Sequence, residues 1–265
     1  MNNKIVLFDM DGTLTESRQK FDSRELEDAL YRLTNKGVHI GIITGSDENY
    51  LREQMGEMLE KSSCRYKMHL MPCNGTKYFK PPSFATQDFI KTYEVSMKED
   101  MGSTDYNNLI KQLVYSQADA SSYKIPLTGH FINCRGSLIN WCPIGRNATT
   151  EDRNKFMEID KADDLRLKVI EELKEVLSLQ GLLSKVTIKL GGDTSFDIYP
   201  KGWDKTHGLR HFPNWEIWFV GDRCYENGND YEIYQSCGER AYKTSGPEDT
   251  VRIIDDILEK MGKTS

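Results

Sequence analysis

The sequence predicts an α/β protein with a doubly wound, mainly parallel, Rossmann-like core and an inserted α+β cap domain that contains an antiparallel sheet. Short apolar segments alternate with helical patterns over roughly the first 80 residues and again near the end of the chain, as is typical of parallel sheets covered by helices. Between these stretches, hairpin and helix patterns replace the alternation. We therefore assign residues 1–83 and 203–265 to the core and residues 84–202 to the insert.

The first part of the core shows three strand patterns separated by two helix patterns. Residues 4–8 and 38–43 are short apolar runs that predict buried strands, and residues 66–71 predict a third strand. Apolar residues recur at helical spacing between a capping-box sequence and Gly37, and again over residues 47–59. This order predicts strands that pair in parallel, with helices on the faces of the sheet.

The insert is predicted to combine helices with antiparallel strand pairs. Helical segments dominate from about residue 81 to residue 120, and a long helix is predicted over about residues 163–179. Residues 130–142 and 185–199 each contain two strand patterns around a turn with glycine. After the insert, residues 215–220 form another apolar strand pattern, and a closing helix follows. The core is thus built from both ends of the chain.

Composition and charge exclude several classes of protein. A chain of 265 residues can bury a core without disulfides, and no apolar run approaches the roughly 20 residues that span a bilayer, so no membrane partner is expected. A net charge of −6 argues against a general nucleic-acid binder. The six cysteines form no Cys-x-x-Cys pair and the amino terminus does not resemble a secretory signal, so we expect reduced thiols and a cytoplasmic location.

Two aspartates directly follow the first predicted strand, in the sequence Asp-Met-Asp-Gly-Thr over residues 9–13. In an open parallel sheet, the functional site lies beyond the carboxyl ends of the strands. There the Asp9 carboxylate can attack phosphorus and form an aspartyl-phosphate, while Asp11 can exchange protons with a substrate hydroxyl. The alternative, an acidic turn without function, is disfavoured because the whole five-residue pattern stands at this position.

A magnesium ion is expected at the same sheet edge, because negative phosphate oxygens must approach carboxylates there. Asp222 follows the late predicted strand and Asp230 lies on the loop after it. Together with Asp9 and Asp11, they are the candidate ligands for Mg²⁺. For Asp230, the alternative is a helix cap.

Further residues predict a phosphate site. Thr44 follows the second strand and offers a hydroxyl, while Gly45 and Ser46 offer backbone N–H groups at a helix start. Lys205, just past the return from the insert, can neutralise the charge of phosphate and of Asp9. The alternatives are that Thr44 or Ser46 caps the helix and that Lys205 is an ordinary surface lysine.

These four groups of residues, in this order, resemble the haloacid dehalogenase superfamily of phosphoryl-transfer enzymes. Residues 129–136, 142–146, 151–153 and 194–205 make the resemblance closer, because they look like the corresponding segments of the eukaryotic-type phosphomannomutases. The most specific are Pro-Ile-Gly-Arg and Ser-Phe-Asp-x-x-Pro-x-Gly-Trp-Asp-Lys. The likeness extends over essentially the whole chain.

The resemblance implies that the insert binds the phosphate distal to the core site. The residues that match the family's binding motifs are Arg135, Arg146, Arg153, Ser195 and Asp197 in the insert and Arg18 in the core. A planar guanidinium can contact two phosphate oxygens at once, so several arginines together favour a dianion. Without the resemblance, these arginines would be interpreted as solvated surface charge.

The resemblance also implies a reaction: interconversion of mannose 6-phosphate and mannose 1-phosphate, feeding GDP-mannose synthesis. A hexose phosphate would be the substrate, Mg²⁺ the cofactor, a hexose 1,6-bisphosphate the activator, and a homodimer would form through the caps. One alternative is a sugar-phosphate phosphatase of the same superfamily, which the three arginines disfavour. Another is a non-catalytic sugar-phosphate sensor, which has no need of Asp9 or Asp11.

Overall fold

The computed structural model describes residues 3–263 and forms two compact units. The core comprises the chain up to Glu94 and from Trp203 onwards, and the insert comprises Val95–Gly202. The first core segment was predicted to end at residue 83. The structure extends it to Glu94 because a strand over Ile90–Glu94 pairs with a core strand. The chain returns to the core at Trp203, where the second core segment was predicted to begin.

Strands β1 to β11 cover, in chain order, Lys4–Phe8, His39–Ile43, Met68–Met71, Lys77–Lys80, Ile90–Glu94, Ile132–Cys134, Ile139–Trp141, Val186–Gly191, Ser195–Pro200, Glu216–Gly221 and Ala241–Lys243. Helices α1 to α8 cover Arg24–Asn35, Glu48–Glu60, Met97–Met101, Ser103–Ala120, Thr150–Asp163, Leu165–Leu179, Tyr231–Cys237 and Pro247–Lys263. Short 3₁₀ turns connect several of these elements, among them Lys205–His211.

The core is a seven-stranded sheet in the order β11-β10-β1-β2-β3-β4-β5. The strands from β11 to β3 pair in parallel. At the edge, β4 pairs antiparallel with β3, and β5 pairs antiparallel with β4. Val6 and Phe8 of the central strand β1 pack in one apolar cluster with Leu30 of α1, and Ile5 and Leu7 pack in a second cluster with other residues. Both faces of β1 are covered, which fits its continuously apolar sequence from Ile5 to Phe8.

The first helix shows how local sequence sets these elements. Ser23 caps α1 by accepting a hydrogen bond from the backbone N–H of Leu26, and Gly37 follows its end at φ +83°. Leu26, Leu30 and Leu33 are buried on one face. The predicted cap, apolar face and end of this helix are therefore those of the structure.

The insert is an α+β unit around a four-stranded antiparallel sheet in the order β6-β7-β9-β8. The rings of Trp141 and Phe196, on the neighbouring strands β7 and β9, lie 4.9 Å apart between centroids and are fully buried. The mainly parallel sheet of the core and this separate antiparallel sheet confirm the predicted fold class.

Several elements differ from the sequence prediction. The region from residue 81 to residue 120 was predicted to be mainly helical, but its helices begin only at Met97 because β5 precedes them. The predicted third strand begins at Met68, after a 3₁₀ turn over Ser63–Lys67. Strands β4 and β11 and helices α5 and α7 were not predicted. Along residues 3–263, no helix has both the length and the hydropathy to cross a membrane.

A chain of hydrogen-bonded rings lies in the core sheet, where His69 and Tyr78 are buried and His39 is half-buried. Nδ1 of His39 lies 2.9 Å from Nε2 of His69, and Nδ1 of His69 lies 2.9 Å from the Tyr78 hydroxyl. The rings of Phe212 and Trp215 pack edge-on against His69. Burial lowers the pKa of His69 to about 3, with neighbouring positive charge as a smaller cause. The folded core therefore holds this imidazole in its neutral form.

We expect the free energy of unfolding to fall as the pH is lowered from about 8 to about 5. In the unfolded chain, His69 would take up a proton near its ordinary pKa of 6.5, whereas the folded core does so only at a pKa of about 3. Acid therefore favours the unfolded state, and His69 alone would cost about 2 kcal/mol at pH 5. Urea titrations followed by circular dichroism at several pH values measure this loss.

The variant His69→Gln tests the assignment, because an amide can donate and accept hydrogen bonds but does not titrate in this range. Its stability should depend less on pH between about 5 and 8 than that of the wild type. The exposed His130, changed to Asn, is the control and should retain the wild-type dependence. Equal pH dependence in wild type and His69→Gln would contradict the prediction.

Candidate active site

Three carboxylates meet at one edge of the core sheet. Asp9 follows β1 and Asp222 follows β10, and these strands pair in register, with Phe8 beside Val220. Asp230 immediately precedes α7. One carboxylate oxygen from each of the three aspartates lies within 4.8 Å of the others. The parallel pairing of two strands thus brings together acids that are more than 200 residues apart in sequence.

Lys205 lies between two of these carboxylates. Its Nζ is 2.6 Å from Oδ1 of Asp9 and 2.5 Å from Oδ1 of Asp230, and its side chain is 0% exposed. The backbone N–H of Arg223 donates to the other oxygen of Asp230, at 3.0 Å. Asp230 makes no capping hydrogen bond to α7. The two alternatives, a helix-capping Asp230 and a surface Lys205, are therefore wrong.

The carboxylates outnumber the ammonium group, and this determines the electrostatics. Burial raises the pKa of Asp9 well above its ordinary value, and repulsion by Asp230 and Asp222 adds to the effect against the opposing charge of Lys205. Burial and Asp230 likewise raise the pKa of Asp222. Burial opposes the charge of Lys205, but contact with Asp230 and Asp9 raises its pKa. The cluster would thus be stabilised by more positive charge.

The donor set fits a hard divalent cation. Oδ1 of Asp222 is buried and has no hydrogen-bond partner among residues 3–263. Such an orphaned oxygen is costly unless a cation or donor approaches it. Asp9, Asp222 and Asp230 each offer a carboxylate oxygen, the type of ligand that Mg²⁺ prefers. The guanidinium of Arg223, with Nε 3.6 Å from Oδ2 of Asp222, offsets part of the negative charge of this carboxylate.

Asp11, the fourth candidate ligand, has a different environment from Asp9. Its side-chain Oδ1 accepts hydrogen bonds from the backbone N–H of Arg18, at 2.9 Å, and from the Tyr50 hydroxyl, at 3.0 Å. Its carboxylate is not part of the cluster formed by the carboxylates of Asp9, Asp222 and Asp230. The Arg18 side chain is exposed, and its backbone has a φ of +62°. In this structure, Arg18 therefore contacts Asp11 through its main chain.

Gly12 is required by its close packing against Asp222. Its φ is +78°, a conformation that side chains rarely adopt, and a Cβ built on it would lie 2.6 Å from Oδ2 of Asp222. A residue with a side chain would thus displace the Asp222 carboxylate. The Thr13 hydroxyl that follows is buried and, within residues 3–263, has no hydrogen-bond partner.

The predicted phosphate loop follows β2. Thr44 is buried, and its hydroxyl accepts a hydrogen bond from the backbone N–H of Ser46 at 3.1 Å. Asp47 caps α2 by accepting from the backbone N–H of Tyr50, so neither Thr44 nor Ser46 is the cap. Gly45 lies half-buried between them. Thr44 and Gly45 thus follow β2 directly, and the Ser46 N–H is directed to Thr44.

A second group of polar residues forms on the sheet of the insert. The side-chain amide of Asn140 donates to Oγ of Ser195 at 3.0 Å and to Oδ1 of Asp197 at 2.8 Å. Its oxygen accepts from the guanidinium of Arg146 at 2.9 Å. Asn140 and Asp197 are neighbours in the register of β7 and β9. Asn140 thus connects three of the predicted phosphate- and sugar-binding residues.

The other two predicted arginines of the insert are sheltered from solvent. Arg135 is 9% exposed, in the turn between β6 and β7, where its backbone N–H donates to the carbonyl of Leu138. Arg153 is 8% exposed, near the start of α5. The interpretation of these two side chains as solvated surface charge is therefore wrong.

Two residues of these groups, Tyr50 and Asn140, were not predicted from the sequence. A weak signal marked Asn140, since it is a polar residue between two buried apolar ones in a strand. No local pattern marked Tyr50, because its partner Asp11 is 39 positions away in the chain.

Comparison with known proteins identifies the family. A model of the eukaryotic phosphomannomutases matches residues 26–260. The chain belongs to this family. It is 37% identical to a phosphomannomutase of Arabidopsis thaliana, covering 93% of each chain. It is 35% identical to one of Encephalitozoon cuniculi, covering 97% of this chain and 94% of the relative. With the Saccharomyces cerevisiae phosphomannomutase, identity is 36%, over 96% and 94% of the two chains.

Solved structures show the same fold at low sequence identity. An IMP-bound mutant of Plasmodium falciparum IMP-nucleotidase matches 97% of this chain and 67% of its own, with a TM-score of 0.68 and 14% identity. A Streptococcus mutans protein matches 97% and 99% of the two chains, with a TM-score of 0.58 and 15% identity. These likenesses concern the fold alone.

We expect Lys205→Met to lower the free energy of unfolding by about 3–5 kcal/mol, because it leaves the carboxylates of Asp9 and Asp230 buried without their ammonium partner. Methionine keeps most of the side-chain volume, so the loss reports charge more than packing. Urea unfolding at neutral pH measures it. Lys20→Met, at an exposed position, is the control and should change stability little. Equal stability of the two variants would contradict the importance of the ion pairs.

Proposed function

We propose that this protein is a phosphomannomutase that interconverts mannose 6-phosphate and mannose 1-phosphate, and so supplies GDP-mannose synthesis. Membership of the family and relatives of that name over nearly the full chain support the substrate. The observation that carries the chemistry is the Asp9 carboxylate at the end of β1, with Oδ1 held by Lys205. That contact leaves Oδ2 as the nucleophile.

In the first step, Oδ2 of Asp9 attacks phosphorus of a hexose 1,6-bisphosphate. The bond between phosphorus and the sugar oxygen breaks, its electron pair goes to that oxygen, and Asp11 supplies the proton. The products are a hexose monophosphate and phosphorylated Asp9. In the reverse direction, Asp11 removes the proton of a sugar hydroxyl, which attacks phosphorus and regenerates a bisphosphate. If the hexose monophosphate turns so that its other hydroxyl attacks the phosphorylated Asp9, one cycle moves the phosphate between positions 6 and 1.

Residues of the core would bind the phosphoryl group during transfer. Lys205 neutralises negative charge beside Asp9, and Thr44, Gly45 and Ser46 are the proposed oxygen-binding residues, with Arg18 as a further substrate contact. The carboxylates of Asp9, Asp222 and Asp230 would hold Mg²⁺, whereas that of Asp11, the fourth candidate from the sequence, would be left for proton transfer. When bound, Mg²⁺ would neutralise charge on the transferred phosphoryl oxygens.

Residues of the insert would bind the phosphate that is not transferred. The proposed residues are Arg135, Arg146 and Arg153 for that phosphate, with Ser195 and Asp197 for phosphate and sugar hydroxyls. The fixed geometry of Asn140 supports this, since it orients Arg146, Ser195 and Asp197 as one group. A sugar-phosphate phosphatase would share the core chemistry, but it has no second phosphate to bind. The arginines of the insert therefore favour the mutase.

We further propose a cytoplasmic homodimer that associates through the insert. All six cysteines are free thiols, which supports a reducing compartment. The insert also exposes large apolar side chains: Val114, Tyr115, Leu127, Leu167 and Leu179 are 45% to 90% exposed. Exposed apolar side chains of this kind are typical of surfaces that associate.

The ratio of products separates the mutase from the phosphatase. Arg146→Ala should weaken binding of the second phosphate by roughly ten- to a hundredfold, because one charged contact contributes about 1.5–3 kcal/mol. The mutase rate should fall steeply while slow release of inorganic phosphate persists. Phosphorus NMR with Mg²⁺, mannose 1-phosphate and trace bisphosphate measures both products.

Two variants control this experiment. Asp9→Asn should abolish both products, because the amide is nearly isosteric but not a nucleophile. Arg166→Ala removes a guanidinium of the insert that is bound to Asp160, and it should leave the product ratio unchanged. A wild-type ratio at the wild-type rate in Arg146→Ala would favour the phosphatase over the mutase.

For the oligomer, light scattering at micromolar concentration should give twice the chain mass of 30.5 kDa. Leu179→Glu, at the most exposed of these side chains, should weaken association, because it buries a charge in an apolar contact. Phe84→Glu in the core is the control and should leave the mass unchanged. A monomer mass for the wild type would overturn the homodimer.

A further inference from the structure

We propose that Tyr50 is a positioning residue for Asp11. Its hydroxyl fixes Oδ1 of the Asp11 carboxylate, so that Oδ2 is the oxygen that gives a proton to the sugar oxygen and takes it back. This inference rests on the proposed function only in that Asp11 is the acid and base of a phosphoryl transfer.

Two donors from different parts of the core converge on one oxygen. The Tyr50 hydroxyl is 3.0 Å from Oδ1 of Asp11, and the backbone N–H of Arg18 is 2.9 Å from the same atom. Both hydrogen bonds to this side chain within residues 3–263 end on Oδ1. A carboxylate oxygen accepts about two hydrogen bonds. Oδ1 is therefore saturated, and Oδ2 is left for the substrate.

The surroundings of Tyr50 fix the position of its hydroxyl. Tyr50 lies in the first turn of α2, where its backbone N–H donates to the capping carboxylate of Asp47 at 2.9 Å. Its ring packs against the larger apolar cluster of the core. Arg18, at a φ of +62°, donates its backbone N–H to the same oxygen. Tyr50 is thus the donor to Asp11 that the core itself holds in place.

A hydroxyl in this position affects only steps that need a proton. When a sugar phosphate reacts with Asp9, the sugar oxygen leaves as a poor leaving group and requires the proton of Asp11. When p-nitrophenyl phosphate reacts, the same type of bond breaks but the phenolate leaves without a proton. Without the Tyr50 hydroxyl, the carboxylate can rotate about its bond to Cβ, so proton transfer slows while attack by Asp9 does not.

The experiment compares leaving groups in Tyr50→Phe, which keeps the ring. With Mg²⁺ and trace bisphosphate, kcat for mannose 1-phosphate should fall about tenfold, a part of the effect of a general acid, with KM nearly unchanged. The first-turnover burst of p-nitrophenol, which reports phosphorylation of Asp9 alone, should stay within about twofold of the wild type. Tyr66→Phe, at a partly exposed tyrosine of the core, should change neither rate.

Two other outcomes would overturn the positioning role of Tyr50. If both rates fall equally in Tyr50→Phe, the residue supports the site generally and the positioning role is overturned. If neither changes, the hydrogen bond is unimportant and the proposal also fails. A thermal midpoint equal to that of the wild type excludes loss of folding as the cause.

The proposed mutase function can be overturned independently of the role of Tyr50. If the wild type converts sugar phosphate to inorganic phosphate without forming mannose 6-phosphate, the mutase proposal falls. The comparison of leaving groups still tests Tyr50, because Asp11 protonates the sugar oxygen in that reaction too. If the wild type neither cleaves sugar phosphate nor gives a burst, both proposals are overturned.

Discussion

The contact of one ammonium group with two buried carboxylates governs the architecture of the core. Lys205 is completely enclosed, and a charge in that position is tolerated only with close partners of opposite sign. Asp9 at the end of β1 and Asp230 before α7 provide them. The contact therefore fixes three segments to one another: the central strand, the segment that returns from the insert, and the loop after β10. Strand pairing brings these segments near, and the ion pairs set their distance.

The core also gives two aspartates, two positions apart, opposite surroundings. Asp9 lies among carboxylates and one ammonium group, in a place where more positive charge would be favourable. Asp11 instead receives neutral donors from Arg18 and Tyr50. Environments that separate two carboxylates in this way suit one to attack and the other to carry a proton. Gly12, directly after Asp11, allows the chain to turn close to Asp222, because it has no side chain.

The core strands and the meeting of Asp9, Asp222 and Lys205 were predictable from sequence, because buried parallel strands are continuously apolar and their carboxyl ends lie at one edge. Strand β5 was not, since nearly all of it is exposed and its alternation carries no apolar signal. Helix α5 was missed because it buries little beyond Arg153 and Phe156. Tyr50 acts through a partner that only the folded chain brings near, and Asn140 was marked only weakly, as a polar residue within an apolar strand.

The split of the core around the insert has a consequence for biosynthesis. The insert is one continuous stretch, Val95–Gly202, so all of its strands have been synthesised before Lys205 is added to the chain. The core cannot be completed at that time, because β1 still lacks its neighbour β10. The ion pair between Asp9 and Lys205 therefore cannot form until more than 190 further residues have been synthesised. We infer that the insert can fold during translation, whereas the core closes late, through contacts of long sequence separation that form slowly.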